Sequence, residues 1–177
     1  YFFVKPISTL VKKLRQIDQI IKNTKSRIAI IGGGVASFEL AFSLIRRYED
    51  PLEITIFGKK ILQERNLNQQ TKNKLRAIAK KLGIKEYSGE VVSISDTYLT
   101  LKNGERIDCN FFLLSTGANI EKWLLESDLN KDGSGFITVD NNLLSTNQKN
   151  IFVTGDACNI ENNIRAKSGV MAVRQGE

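Results

Sequence analysis

Four apolar residues, Ile28, Ala29, Ile30 and Ile31, run directly into Gly32, Gly33 and Gly34, and this junction restricts the fold more than any other stretch. An unbroken apolar run of this kind suits a strand buried on both faces of a parallel sheet. Beyond the glycines, Phe38, Leu40, Ala41, Leu44 and Ile45 recur at helical spacing, with Glu39, Ser43, Arg46 and Arg47 between them. Strand, glycine turn and helix, in that order, open a dinucleotide-binding unit. Gly32 permits the tight turn, and Gly34, lacking a Cβ, lets a pyrophosphate approach the backbone. Val35 and Ala36 start a helix whose unpaired N–H groups and positive dipole end face the phosphates. The motif closes on Ser37 rather than Gly or Ala, a residue still small enough for helix and strand to lie close. The plainer alternative is a glycine turn in a βα unit that binds nothing.

With 177 residues, the chain has room for one domain with a real core or for two small units. No apolar run approaches the roughly 20 residues of a membrane span, and the first residues lack the pattern of a signal peptide. The missing initiator Met and the stop inside a helical pattern suggest a segment of a longer polypeptide. Cys109 and Cys158 stand far apart without CxxC spacing, which suggests structural thiols in a reducing, cytoplasmic compartment. The sequence contains 0 His, which excludes His-ligated metals and Ser–His or Cys–His triads within it. The net charge of +7 could suit nucleic acid or an anionic membrane surface. Its Lys and Arg residues are interspersed with Asp and Glu along the whole chain, however, and solvated faces explain most of them.

Residues 1–26 read as an extended lead-in and a connecting helix. Pro6 holds Lys5 extended, and Ser8 or Thr9 caps a helix running to about Asn23. Leu10, Val11, Leu14, Ile17 and Ile21 line one face of that helix. After the glycine helix, residues 48–51 stop the pattern and 52–57 form a second parallel strand. A dinucleotide fold usually carries an acid at the end of that strand for the ribose hydroxyls. Here Gly58, Lys59 and Lys60 follow instead. Two basic groups there suit the 2′-phosphate of NADPH better than NADH; the alternative is two solvated lysines.

A third amphipathic helix spans about 68–82, with Leu75, Ile78, Ala79 and Leu82, and stops at Gly83. Segments 84–87, 90–95, 98–102 and 106–108 then alternate as short strands, with a hairpin signal at Asn103-Gly104. An antiparallel meander thus replaces a crossover helix. Residues 111–115 form an apolar strand leading into Thr116, Gly117 and Ala118. Trp123, Leu124 and Leu125 make a small apolar knot, and 132–135 a turn. Residues 136–139 and 151–154 read as strands, the second ending in Gly155-Asp156, and a last helix opens at or near Ser168.

Four motifs now stand in order: GGGVASFELA at 32–41, LLSTGA at 113–118, IFVTGDA at 151–157 and AKSGVMAVRQG at 166–176. Together they resemble the pyridine nucleotide-disulfide oxidoreductase superfamily of FAD/NAD(P)-binding flavoproteins. Within it the sequence is most similar to type II NADH dehydrogenases, and closer still to the flavoprotein domain fused ahead of selenide, water dikinase. The resemblance implies an α/β fold with a Rossmann-like NAD(P)-binding domain at 27–118, its parallel sheet carrying the antiparallel meander. Residues 119–177 would form the C-terminal portion of an FAD-binding domain, incomplete because only one glycine motif is present.

The resemblance also assigns roles. Gly32 and Gly34 bracket the pyrophosphate, and Glu39 lies near the nicotinamide ribose unless it is a solvated helix acid. Gly117 closes the strand facing the nicotinamide cleft. Asp156, after Gly155, accepts hydrogen bonds from FAD ribityl hydroxyls, unless the two are a simple turn pair. The helix from Ser168 and Gly169 aims its N-terminus at the flavin, with Arg174 and Gln175 on the flavin or acceptor side. The implied activity is hydride transfer from NAD(P)H to FAD in the intact polypeptide. Electrons then pass to an unidentified acceptor, with a quinone or a selenium compound among the options. No side chain need act as acid or base, no metal is implied, and the segment alone would be inactive. Expected partners are NAD(P)H, the rest of the FAD domain and the acceptor, not nucleic acid. Peripheral membrane contact and a fused kinase domain stay open. So do two rival readings: an NAD(P)-binding regulatory module without turnover, and a disulfide reductase whose redox cysteines lie upstream.

Overall fold

The computed structural model describes residues 1–4, 7–23, 25–48, 52–63, 67–117, 120–163 and 167–176, with backbone alone at 7–9, 16, 17, 19, 22 and 23. Pro6, the stop at 49–51, Ala118, residues 164–166 and the side chains of Ser8, Thr9 and Ile17 lie outside the described residues. The chain divides into two compact units, Tyr1–Thr116 and Gly117–Glu177.

In chain order the first unit runs β1 (Phe2–Phe3), α1 (Ile7–Asn23), β2 (Ser26–Ile31), α2 (Val35–Arg47), β3 (Leu52–Gly58), α3 (Gln69–Lys81), β4 (Lys85–Ser88), β5 (Val91–Ile94), β6 (Tyr98–Leu101), β7 (Arg106–Asp108) and β8 (Phe111–Leu114). Five of these strands form a parallel sheet in the order β1-β8-β2-β3-β4. Helices α2 and α3 are the crossovers that parallel neighbours require. Strand β2 is central, with Ile31 opposite Phe57 on one side and Leu114 on the other.

Side chains alternate along β2, which explains the continuous apolar run. Ile28 and Ile30 pack with Ile54, Ile56 and Leu113 in one core, together with Phe38, Ala41 and Leu44 of α2 and Leu10 and Ile21 of α1. Ala29 and Ile31 join a second core with Phe57, Phe112, Leu99, Leu101 and Cys109. Helices therefore cover one face of the sheet and the meander the other. Residues 1–26 are built into this unit. Phe2 pairs with Leu113, and Asp18 of α1 accepts from Arg47 Nη2 at 2.7 Å and from the Tyr48 hydroxyl at 2.5 Å.

Three local expectations change. Segment 85–88 is not the first strand of the meander; it extends the parallel sheet beside β3, with Gly58 opposite Ser88. Helix α3 carries the chain back across the sheet, and Gly83, at φ +71°, turns it into β4. The antiparallel meander therefore has three strands, β5, β6 and β7. Helix α1 begins at Ile7, so Ser8 and Thr9 lie inside it rather than capping it. Val11 is 42% exposed and lies off the buried face.

The second unit contains α4 (Lys122–Leu125), β9 (Ile137–Val139), a 3-10 turn at Gly155–Ala157, β10 (Cys158–Ile160) and α5 (Gly169–Gly176). Strands β9 and β10 pair in parallel over a core of Leu124, Ile137, Val139, Cys158 and Ile160. Of the expected apolar knot only Leu124 is buried, while Trp123 and Leu125 are exposed. The strand expected at 151–154 is reduced to one isolated bridge, Phe152 to Leu144. Gly155, at φ +68°, bends the chain into the 3-10 turn, and the extended run starts beyond it, at Cys158.

Candidate functional site

The glycine loop leaves the carboxyl end of β2, where the strand's two neighbours lead to different parts of the chain. Such a switch point is where open parallel sheets form their ligand crevice. Gly32 sits at φ +146°, and a Cβ there would stand 2.3 Å from the Ser115 carbonyl oxygen at the end of β8. Its amide donates to the Phe57 carbonyl at 2.8 Å. Gly32 is therefore held by strands on both sides and can be nothing but glycine. Gly34 caps α2 at φ −85° and ψ 171°, an extended conformation open to any residue. Its lack of a side chain matters for approach from outside, not for the backbone angle.

Helix α2 has no acidic residue in its first turn and no side-chain cap. No carboxylate of the helix's own first turn therefore stands against the positive end of its dipole, at Gly34, Val35 and Ala36. Ser37 is fully buried, and among the described residues its hydroxyl has no hydrogen-bond partner. That oxygen lies 3.0 Å from the point a Gly32 Cβ would occupy. Bare backbone, a positive helix end and an orphaned hydroxyl all belong to one turn. Glu39 is exposed, one turn further along α2.

Gly33 and Gly58 were not legible as functional in the sequence, yet they shape the loop. A Cβ on Gly33 would stand 2.0 Å from the Lys60 carbonyl oxygen, and one on Gly58 would stand 2.8 Å from the Gly33 Cα. The end of β3 thus has no space for an acidic side chain. Lys60 is exposed. Lys59 makes an ion pair with Glu90 at 3.4 Å, and Lys102 reaches the same carboxylate oxygen at 3.3 Å. Hydrogen bonds from Lys102 and then Lys59 hold the Glu90 carboxyl below its ordinary range.

In the second unit, the Gly155 amide donates to Gln175 Oε1 at 2.8 Å, joining the 3-10 turn to α5. Asp156 is half-buried on that turn. Ser168 caps α5, its hydroxyl accepting from the Met171 amide at 3.3 Å, and Ser168, Gly169 and Arg174 are exposed. Gly155, Asp156, Lys167, Ser168 and Gln175 border a cavity of about 10 Å³, room for about one water. A large ring system would therefore lie against this edge rather than inside it. The carboxylate and the exposed helix N-terminus fit the polar edge of such a group. Lys167 stands 4.2 Å over the Phe136 ring and donates to the Cys158 carbonyl; burial lowers its ammonium pKa.

Neither cysteine is activated. Burial pushes the Cys109 thiol up to about 11 and raises that of Cys158. Disulfide exchange needs a thiolate, so these two are structural. Among the described residues no group of His, Cys, Asp and Glu could hold a metal, and no helix is long and apolar enough to cross a membrane.

A parallel sheet with a bare glycine loop, followed by a unit with a Gly-Asp turn and a helix N-terminus, defines a nucleotide-binding α/β protein of the Rossmann-like type. The chain belongs to the pyridine nucleotide-disulphide oxidoreductase family, whose profile matches residues 5–176. It is 35% identical over 72 residues to a probable NADH dehydrogenase of Dictyostelium discoideum, covering 41% of this chain and 16% of that protein. It is 29% identical over 148 residues to the coenzyme A disulfide reductase of Staphylococcus haemolyticus (strain JCSC1435), covering 79% of this chain and 32% of that one. Among solved structures, the water-forming NADH oxidase from Lactobacillus brevis bound to NADH superposes with a TM-score of 0.71 at 18% identity, over 92% of this chain and 37% of that one. The chain thus spans a third or less of the length of the curated relatives it matches.

Proposed function

We propose that the protein passes a hydride from NAD(P)H to FAD within its full polypeptide, and electrons onward to an acceptor such as a quinone or a selenium compound. The observation that carries this reading is the glycine turn at the end of β2, where Gly32 admits no Cβ and Gly34 leads into α2 with no side-chain cap and no acidic residue in the first turn. A diphosphate there meets N–H donors and a positive dipole end with no Cβ in its way. Val35 and Ala36 lie at the helix end that would receive the diphosphate, and Glu39 stands one turn on for the nicotinamide ribose. The names of the relatives support the same chemistry, since they include an NADH dehydrogenase and an NADH oxidase.

FAD, when bound, supplies the two-electron acceptor. Asp156 would accept hydrogen bonds from its ribityl hydroxyls, a charge-assisted contact. Gly155 permits the turn that places Asp156, and Gln175 braces that turn through the Gly155 amide. The α5 N-terminus at Ser168 and Gly169 would favour negative charge beside it. Within the family we assign the chain to the NADH dehydrogenase-like branch and to the flavoprotein domains fused to selenide, water dikinase, on the strength of the VKPIS entry at 4–8 and the AVRQG ending at 172–176.

Titration of NADH into the full-length protein tests the reading. Gly34→Asp sets a carboxylate against the diphosphate and should weaken binding at least about a hundredfold, with the circular dichroism spectrum unchanged. Unaltered affinity would contradict the assigned cradle. A yellow protein that NADH bleaches is an oxidoreductase, whereas one that binds without bleaching is a regulatory module.

A further inference from the structure

A dinucleotide fold normally ends its second strand with an acid that takes the adenosine ribose hydroxyls. Position 58 cannot carry one, because any Cβ there meets the Gly33 backbone. The neighbouring strand end supplies a carboxylate instead. Strand β4 runs parallel to β3, so its carboxyl end lies beside Gly58. The Gly89 amide donates to the Gly58 carbonyl at 3.0 Å, and the Lys102 amide donates to the Glu90 carbonyl at 2.8 Å. Glu90 is thus anchored on both sides, next to the place where the acid is missing.

We infer that Glu90 is the ribose-recognising acid of the nucleotide site and sets a preference for NADH over NADPH. The inference rests on the nucleotide reading above and reverses what Lys59 and Lys60 imply when taken alone. Lys59 already has an anionic partner, since it pairs with the Glu90 carboxylate at 3.4 Å while Lys102 pairs with it at 3.3 Å. The two lysines orient that carboxylate, which accepts from the vicinal 2′- and 3′-hydroxyls of NADH. A 2′-phosphate brings nearly two negative charges against the same carboxylate. It would also need Lys59 to leave its partner. The plainer view, a surface ion-pair network with no role in binding, predicts no change in nucleotide selectivity when the carboxylate is lost.

The experiment is a pair of titrations, NADH and NADPH, into the full-length wild-type protein, Glu90→Gln and Glu90→Lys. Wild type should bind NADH more tightly. In Glu90→Gln the ratio of NADH to NADPH affinity should fall about tenfold or more, as expected for losing hydrogen bonds to a charged group. Glu90→Lys should move the ratio further, in favour of NADPH. Wild type that binds both nucleotides, with a ratio unmoved by either substitution, overturns the role of Glu90 and leaves the cradle standing. Wild type that binds neither overturns the cradle, and the assignment of Glu90 with it.

Discussion

The amide of Leu62 donates a hydrogen bond to the carbonyl of Gly33 at 2.7 Å, tying the turn after β3 to the glycine loop after β2. The two loops touch so closely that Lys60 and Gly33 share a backbone contact with no space for a side chain. Gly33→Ala drives a methyl group to 2.0 Å from the Lys60 carbonyl. Because the obstacle is backbone, one loop must move. The expected outcome is a loss of about 1–3 kcal/mol in urea unfolding, together with weaker NADH binding.

The two outer glycines should respond differently to the same substitution. Gly32 combines φ +146° with a Cβ contact of 2.3 Å to the Ser115 carbonyl, so Gly32→Ala adds strain to a clash and should cost more than about 2 kcal/mol. Gly34 already has an extended backbone, so Gly34→Ala should change stability by less than about 1 kcal/mol. Its effect should appear in nucleotide affinity instead. Comparable destabilisation at both positions would show that Gly34 is under a backbone constraint.

Ser37 occupies the place where a smaller residue would pack helix against strand, and its hydroxyl is buried and orphaned among the described residues. An unsatisfied buried hydroxyl costs about 1–3 kcal/mol. Ser37→Ala should therefore be neutral or stabilising in a denaturant melt, with NADH affinity unchanged. A loss above about 1 kcal/mol would mean that the hydroxyl has a partner in the folded protein.

How much of this was legible in the sequence depends on whether a feature is periodic or tertiary. Strand β2 and helix α2 could be read directly, because Ile28 to Ile31 fill both cores and Phe38, Ala41 and Leu44 repeat at the helical spacing. The turn at Asn103-Gly104 was legible because Gly104 takes φ +86°. The allegiance of β4 was not. Its four residues are exposed or half-buried on an outer strand, and such a pattern does not distinguish a parallel edge from a hairpin arm. Once that strand is assigned to the main sheet, Glu90 arrives beside Lys59, a proximity between residues 31 positions apart in sequence that no motif announces. Strand β10 was hidden for a related reason: the turn at Gly155 separates it from the apolar run that predicted a strand.

The Cys109 thiol ties stability to pH in the alkaline range. Burial raises its folded pKa from 9.0 to about 11, so between those values the folded state holds a proton that the unfolded state has released. Stability is therefore complete below about pH 9 and falls as the pH rises toward 11. Urea unfolding followed from pH 7.5 to about 10.5 should show this decline in wild type and a shallower one in Cys109→Ala. The comparison is of slopes, because the substitution also leaves a small void. Equal slopes would assign the decline to other groups.

Asp132 plays the opposite part in the second unit. One oxygen accepts from the amides of Ser134 at 2.8 Å and Phe136 at 3.1 Å, and the other from Asn159 Nδ2 at 2.5 Å. Although burial acts in the other direction, these bonds hold its carboxyl below the ordinary value. The contribution is then present above the unfolded carboxylate range and is lost as pH falls through the folded value. Asp132→Ala removes the acceptor that closes the 132–136 turn and joins it to β10, and should destabilise by about 1–3 kcal/mol at neutral pH. Trp123, the 1 Trp of the sequence, lies in this unit, so its fluorescence reports the unit's unfolding. Wild type should lose its advantage over Asp132→Ala as the pH is lowered below about 4. An advantage that persists at pH 2 would show that the carboxylate is not what holds the turn.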